Sequence, residues 1–416
     1  MQIPVVVIGG GQAGLAMSQC LAERAIDHVV LERGDIAHSW RSERWDSLRL
    51  LTPNWMTRLP GFHYRGDDPD GFMTKSEVIQ FLSDYQQTIS APISTNTSVS
   101  CVRKTASGFN VKTNQGDWSC DAVVMATGAS SEPKIPEIAA AVPSRVAQLN
   151  ALQYRNPDQL CQGDVLVVGA SASGAQIADE LQRSGRQVTI AIGDHVRLPR
   201  TYRGRDIHWW MDTIGQLDER YDEVDDLTRA RRLPSLQLVG SPQRRDLDLN
   251  ALTDTGIELV GKFLQVTPSK AQFSGGPAHL IANADLKQAR LLDRIDEFVA
   301  EQGVEGDLTE PTRPEKTRLG PVQTELPIDR FATIVWATGY RPTYSWLDEA
   351  AFDQRGRIAH DGGACDLAGL YLLGQPFMRR RKSSFIDGVG PDAAELVGSL
   401  QAHLDTVAGN RQFGRS

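Results

Sequence analysis

Two strand–glycine–helix units about 160 residues apart constrain this chain more than any other feature. The first runs Val5-Val6-Val7-Ile8 into Gly9-x-Gly11-x-x-Gly14, and the second runs Val165-Leu166-Val167-Val168 into Gly169-x-Ser171-x-x-Gly174. An apolar strand that stops at such a loop and resumes as a helix opens a dinucleotide-binding βαβ unit. Each unit is answered much later by a strand ending in Ala-Thr-Gly: Val123-Val124-Met125 before Ala126-Thr127-Gly128, and Thr333 to Trp336 before Ala337-Thr338-Gly339. Two units in one chain imply two dinucleotides facing each other, with electrons passing from a nicotinamide to a flavin.

The first loop has the parts of an FAD site. Gly9 permits the tight turn, Gly11 lets amides approach a pyrophosphate, and Gly14 allows close helix–strand contact. The amides of Gln12 and Ala13 open the helix and offer positive partial charge to phosphate. Glu32, followed by Arg33, falls at the end of the next apolar run, where an acid accepts hydrogen bonds from ribose hydroxyls. Trp40-Arg41 soon after, Thr127-Gly128, and a tail running Phe385-Ile386-Asp387-Gly388-Val389-Gly390 into a helix favour FAD over NAD. A helix start aimed at the flavin would stabilise its reduced anion. Asp387 either caps that helix or holds a flavin phosphate or ribitol.

In the second loop Ser171 replaces the middle glycine and still leaves room for pyrophosphate, with Ala172, Ser173 and Gly174 behind it. The position equivalent to Glu32 falls on Ile192, with Asp194 two residues on. Without an acid there, a 2′-phosphate meets no repulsion, and Arg197 and Arg200 are placed to pair with it or to serve as surface charge. NADPH is therefore preferred to NADH.

At this point the sequence resembles the two-dinucleotide flavin-containing monooxygenases, the group that includes plant indole-3-pyruvate monooxygenases and Baeyer–Villiger enzymes. The resemblance spans nearly the whole chain. Besides the paired loops it rests on Trp40-Arg41, Leu48-Arg49-Leu50, Leu198-Pro199-Arg200 and Ala337-Thr338-Gly339-Tyr340-Arg341-Pro342. It implies FAD, NADPH and dioxygen, with a C4a-peroxyflavin inserting one oxygen atom into a nitrogen, sulfur or carbonyl group of a small molecule. It also implies a catalytic role for Asn54, whose amide would hold the peroxide or NADP; the plain alternative is a turn residue after Pro53. The sequence departs from the family's linker, Phe-x-Gly-x-x-x-His plus an aromatic, which falls on Ser144, Val146, Asn150 and Tyr154. The Gly-Gly before the tryptophan is His38-Ser39. Substrate type is therefore not carried over.

The fold expected is α/β, with two Rossmann-like domains and the NAD(P) domain inserted into a discontinuous FAD domain. The FAD domain takes residues 1–150 and 328–416, and the NAD(P) domain takes 151–327. Pro311, Pro314, Pro321 and Pro327 mark the stretch from Glu305 to Asp329 as an irregular connection. A capping box at Thr74 and Glu77 starts one helix, and Asn283 is a candidate cap for another that stops before Gly303. The segment from Arg203 to Trp210 reads as core or interface packing in preference to a substrate channel, and Arg379-Arg380-Arg381-Lys382 as surface charge beside the tail helix.

The net charge of −8 gives no reason to expect a nucleic-acid or anionic-membrane partner, and no apolar run reaches membrane-spanning length. A cytoplasmic enzyme acting on a small molecule and O2 is expected, with a homodimer as the candidate assembly. The histidines lack metal-ligand spacing, so no metal is expected. Five scattered cysteines without close spacing disfavour a disulfide reductase. The remaining rivals are a flavin-dependent NAD(P)H oxidase or dehydrogenase and an NADP-binding redox sensor.

Overall fold

The computed structural model describes residues 1–304 and 306–413. In chain order the elements that build the clefts begin with β1 (Val5–Ile8), α1 (Gln12–Ala22), β2 (His28–Leu31), α2 (Lys75–Thr88), β3 (Ile93–Ser94) and β4 (Ala122–Met125). They continue with β5 (Ala147–Asn150), β6 (Asp164–Val168), α3 (Ala172–Arg183), β7 (Val188–Ala191), β8 (Glu258–Val260) and α4 (Ala278–Gln302). The last are β9 (Phe331–Trp336), β10 (His360–Asp361), β11 (Ala364–Cys365), β12 (Leu370–Leu372) and α5 (Ile386–Phe413).

Continuous apolar runs such as Val5–Ile8 and Ala122–Met125 suit strands covered on both faces, because alternation would leave one face polar. All eight of those residues are buried. The first sheet has the order β10-β11-β12-β4-β1-β2-β3, with parallel register Val5 opposite His28 on one side and Ala122 on the other. The Gly369-to-Gly374 run supplies β12, which pairs in parallel with β4. The tail of the chain therefore completes the first sheet, and α5 packs against α1.

The second sheet has the order β5-β9-β6-β7-β8, all parallel. Here the expected division at 150 and 328 shifts. Ala147–Asn150 and Phe331–Trp336, assigned from sequence to the first unit, hydrogen-bond within the second. The reason is the parity of the two units: each needs its own Ala-Thr-Gly strand beside its glycine strand, and β9 is that strand for the second.

Local signals fare well where capping chemistry is explicit. Thr74 and Glu77 form the reciprocal capping box of α2. By contrast α4 begins at Ala278, before Asn283, and ends at Gly303 with φ of +67°. Residues 306–324 carry no regular element, as the prolines predict; Glu305 lies outside the described residues. The helical end of the Arg203–Trp210 segment packs as core: Ile207 and Trp210 are buried, and Trp210 donates to the Tyr202 carbonyl at 2.6 Å and meets Trp209 edge-on at 4.9 Å.

Candidate functional site: paired glycine loops and their clefts

Each glycine loop closes backbone to backbone on its own Ala-Thr-Gly. Gly9 takes φ of +109°, and a Cβ there would lie 2.5 Å from the Ala126 carbonyl oxygen. Gly169 takes φ of +110°, and its Cβ would lie 2.4 Å from the Ala337 oxygen. The third glycines are tighter still: a Cβ on Gly14 would sit 1.8 Å from the Gly9 oxygen, and one on Gly174 1.9 Å from the Gly169 oxygen. No real Cβ survives such contacts, so these four glycines hold strand end and helix start together.

Gly11 differs. It caps α1 with φ of −81°, and a Cβ on it would meet nothing within 4 Å. That open space belongs to a cleft of about 570 Å³ along the carboxyl edge of the first sheet, within the range of about 300–1,000 Å³ usual for ligand sites. Gly9, Gly11, Gln12, Ala13, Glu32, Arg33, Trp40, Thr127 and Gly128, all expected from sequence, line it. The residues present fit a dinucleotide flavin: amides converge at the start of α1, the buried Thr127 hydroxyl lacks a protein partner, and the space beyond Gly11 is unfilled. Glu32 is buried and accepts from the Gly10 amide at 2.6 Å and the Gly34 amide at 3.1 Å. Those bonds fix its carboxylate at the cleft wall. Arg33 pairs with Glu43, also in the wall.

Sequence reasoning missed part of the wall. Ala37, Thr97, Trp346, Gly374 and Ser384 come from distant stretches, and Ser235 reaches in from beyond the second glycine loop. Only Ala37, at φ of +60°, and Gly374, at φ of +80°, mark unusual backbone, and neither announces a ligand in the sequence.

Several expected site residues are placed otherwise. Arg41 is not among the wall residues; its guanidinium donates to the Ile36 carbonyl at 2.9 Å. Asn54 is 5% exposed and spends its amide on the loop before α2. Its Nδ2 donates to the Asp68 carbonyl at 2.9 Å, and its Oδ1 accepts from the Met73 amide at 2.8 Å. Asn54 is thus a loop clasp, and it is not among the cleft-lining residues. Asn54→Ala should lower unfolding stability by about 1–3 kcal/mol, because the buried Met73 amide loses its acceptor. Urea denaturation would show this; an unchanged midpoint would return the residue to the chemistry.

Asp387, in the first turn of α5, is not among the residues that line the cleft. It is buried between Arg58 (2.6 Å) and Lys382 (3.1 Å). The neighbouring Arg379, Arg380 and Arg381 pair with Glu395, Asp392 and Glu219. The basic run is therefore a neutralised clamp on α5 and not free surface charge.

In the second unit Ser171 caps α3, and its hydroxyl donates to the Asp194 carbonyl at 3.3 Å. Ser173 reaches the Tyr340 hydroxyl at 3.2 Å, and Thr338 donates to the Lys134 carbonyl. Ala172 lies in the first turn of α3, and Gly339 takes φ of +91° just past β9. Arg197 and Arg200 do not face a nucleotide. Arg197 is buried between Asp248 (2.6 Å) and Asp285 (2.7 Å). Arg200 is buried on Asp206 and the Leu51 carbonyl, with its guanidinium 4.5 Å from the Phe72 ring. Burial lowers the Arg200 pKa, against the pull of Asp206. A buried guanidinium needs such partners; those of Arg197 take both of its terminal nitrogens and leave only Nε unpaired.

All five cysteines are unpaired. Burial pushes the Cys20 thiol up to about 11, and those of Cys120 and Cys365 up to about 12. Disulfide exchange needs the thiolate, which these settings suppress. Among the described residues there is no cluster of three metal-ligating side chains and no helix long and apolar enough to cross a membrane.

Comparison with known proteins agrees with this architecture. The family described as pyridine nucleotide-disulphide oxidoreductase matches residues 6–211. An uncharacterized CzcO-like oxidoreductase of Geobacillus kaustophilus is 31% identical over 404 residues, covering 96% of this chain and 99% of its own. The probable indole-3-pyruvate monooxygenase YUCCA1 of Arabidopsis thaliana is 31% identical over 205 residues, 48% of this chain and 49% of its own. Among solved structures, a flavin-containing monooxygenase from Stenotrophomonas maltophilia superposes with a TM-score of 0.68 at 20% identity, covering 97% of this chain and 99% of that one.

Proposed function

The chain belongs to the flavin-containing monooxygenase family and shares almost its full length with CzcO-like oxidoreductases, and from that premise we propose that it is an FAD- and NADPH-dependent monooxygenase. It is a flavoprotein oxidoreductase by family; the reaction proposed is NADPH + H⁺ + O2 + substrate → NADP⁺ + H2O + oxygenated substrate. The substrate is a small organic molecule oxygenated at nitrogen, sulfur or a carbonyl group.

The observation that carries this reading is the pair of glycine loops, each closed on its own Ala-Thr-Gly, with open space beyond Gly11. Bound FAD would supply the electron transfer and the oxygen chemistry. The amides of Gln12 and Ala13 would hold its pyrophosphate, the fixed carboxylate of Glu32 its ribose, and Trp40 would shield the wall from water. Trp40 also packs against both the first core and the second, so it joins the two units beside the cleft. The scattered cysteines, three of them with suppressed thiols, weigh against disulfide reduction, the other chemistry of this fold.

The test is a stoichiometry. With a panel of amines, thioethers and ketones, NADPH consumed, hydrogen peroxide released and oxygenated product are measured together. A substrate should lower the peroxide yield and raise product by the same amount. Peroxide equal to NADPH with every compound would identify an oxidase, and tight NADP binding without turnover would identify a sensor.

A further inference from the structure

A cavity of about 150 Å³ lies beyond the end of β7, lined by Asp194, His195, Arg229, Asn283, Lys287 and Arg290. Its place in the fold is informative. β7 pairs with β6, whose end opens the second glycine loop, and the Ser171 hydroxyl ties that loop to the Asp194 carbonyl. In a βαβ unit the ribose of a nucleotide lies just there, one strand over from the loop that holds its pyrophosphate.

The wall carries charge without partners. In a chain of net charge −8, Arg229, Lys287 and Arg290 form no ion pair among the described residues, unlike Arg197 and Arg200 nearby. Asn283, Lys287 and Arg290 stand four and three residues apart on α4 and so share one face. Two cations stacked this way repel, unless an anion sits between them.

A second, independent feature is His195. It is 3% exposed, its Nδ1 lies 3.0 Å from the Gly193 carbonyl, and its Nε2 has no hydrogen-bond partner. A carbonyl only accepts, so Nδ1 carries the hydrogen and Nε2, in a ring that lines the cavity, is left with an unpartnered lone pair. Burial also lowers the His195 pKa, which keeps the ring neutral. A buried lone pair of this kind requires a donor such as a hydroxyl.

We propose that this cavity receives a phosphorylated ribose, the 2′-phosphate of NADP meeting Arg229, Lys287 and Arg290 while His195 accepts from the 3′-hydroxyl, the one hydroxyl that ribose keeps. The assignment rests on the reading of the second loop as a nicotinamide-nucleotide site. It replaces Arg197 and Arg200, which are spent on partly buried carboxylates. Asp194 adds one carboxylate to the wall, outnumbered by the three cations. NAD would leave all three cations unmatched.

Calorimetric titration of the full-length flavoprotein with 2′,5′-ADP, 5′-AMP and inorganic phosphate tests this without turnover. The wild type should bind 2′,5′-ADP about 30-fold or more tighter than 5′-AMP, as two or more charge-assisted contacts to one phosphate allow. Lys287→Glu and Arg290→Glu together should bring the two ligands near parity, with 5′-AMP affinity and melting temperature little changed. Equal loss of both ligands, or a preserved preference, would overturn the assignment while leaving the second loop as a nucleotide site. Inorganic phosphate binding as tightly as 2′,5′-ADP would overturn it in favour of a plain anion site. A wild type that binds neither adenosine compound would instead remove the nucleotide reading of the loop itself.

Discussion

Gly11→Leu should give a folded protein that purifies without colour. Gly11 has an ordinary φ of −81°, and its Cβ would point into open space, so the chain itself tolerates a side chain there. The space is the cleft, however, and leucine would occupy the path of the pyrophosphate. Flavin content should fall at least about tenfold, equivalent to about 1.4 kcal/mol of binding, while far-ultraviolet dichroism of the protein is retained. Gly14→Val, three residues away, should do the opposite kind of damage. Its Cβ would lie 1.8 Å from the Gly9 oxygen, so strand and helix must part, at a cost of about 3 kcal/mol or more. Loss of soluble protein for Gly14→Val beside colourless, soluble Gly11→Leu is the expected pattern. A yellow Gly11→Leu with full flavin content would remove the first loop as the FAD site.

That contrast shows why the glycine loops were readable. Gly14 and Gly174 must each pass a carbonyl five residues back, and Gly9 and Gly169 take φ near +110°, so only one residue type satisfies the pattern. Thr74 and Glu77 were readable for the same reason, since a capping box is complete within four residues. What the sequence hid depends on partners brought from far away. The strand Phe331–Trp336 has the same composition whichever sheet it joins, and only pairing with β6 settles its place. Trp346 and Ser384 line the first cleft through tertiary placement alone. Lys287 and Arg290 had a helical spacing that was visible, but nothing in it revealed that β7 ends opposite that face. Asn54 looked free because its acceptor and donor partners, Asp68 and Met73, lie on a loop whose fold carries no local signature.

Arg197→Ala is expected to lower stability by about 3–5 kcal/mol, the usual result of stripping one partner from a buried ion pair. The sequence offered this arginine a phosphate, yet folding gives it three acceptors at once: Asp248, Asp285 and the Glu315 carbonyl at 2.9 Å. The last contact has a further consequence. Asp285 also receives the Thr317 hydroxyl at 2.9 Å, and Asn250 holds the Lys316 carbonyl and the Arg318 amide. Together they fasten an otherwise irregular segment across α4. Without Arg197, Asp248 and Asp285 share a partly buried site with no cation between them, and the 315–318 segment loses its central anchor. Limited trypsin digestion should therefore cut faster at Lys316 and Arg318 in the variant, alongside a lowered urea midpoint. The ratio of NADP to NAD affinity should stay as in the wild type, because the phosphate is met elsewhere. A selective loss of NADP binding at unchanged stability would return Arg197 to the cofactor and unseat α4 from that role.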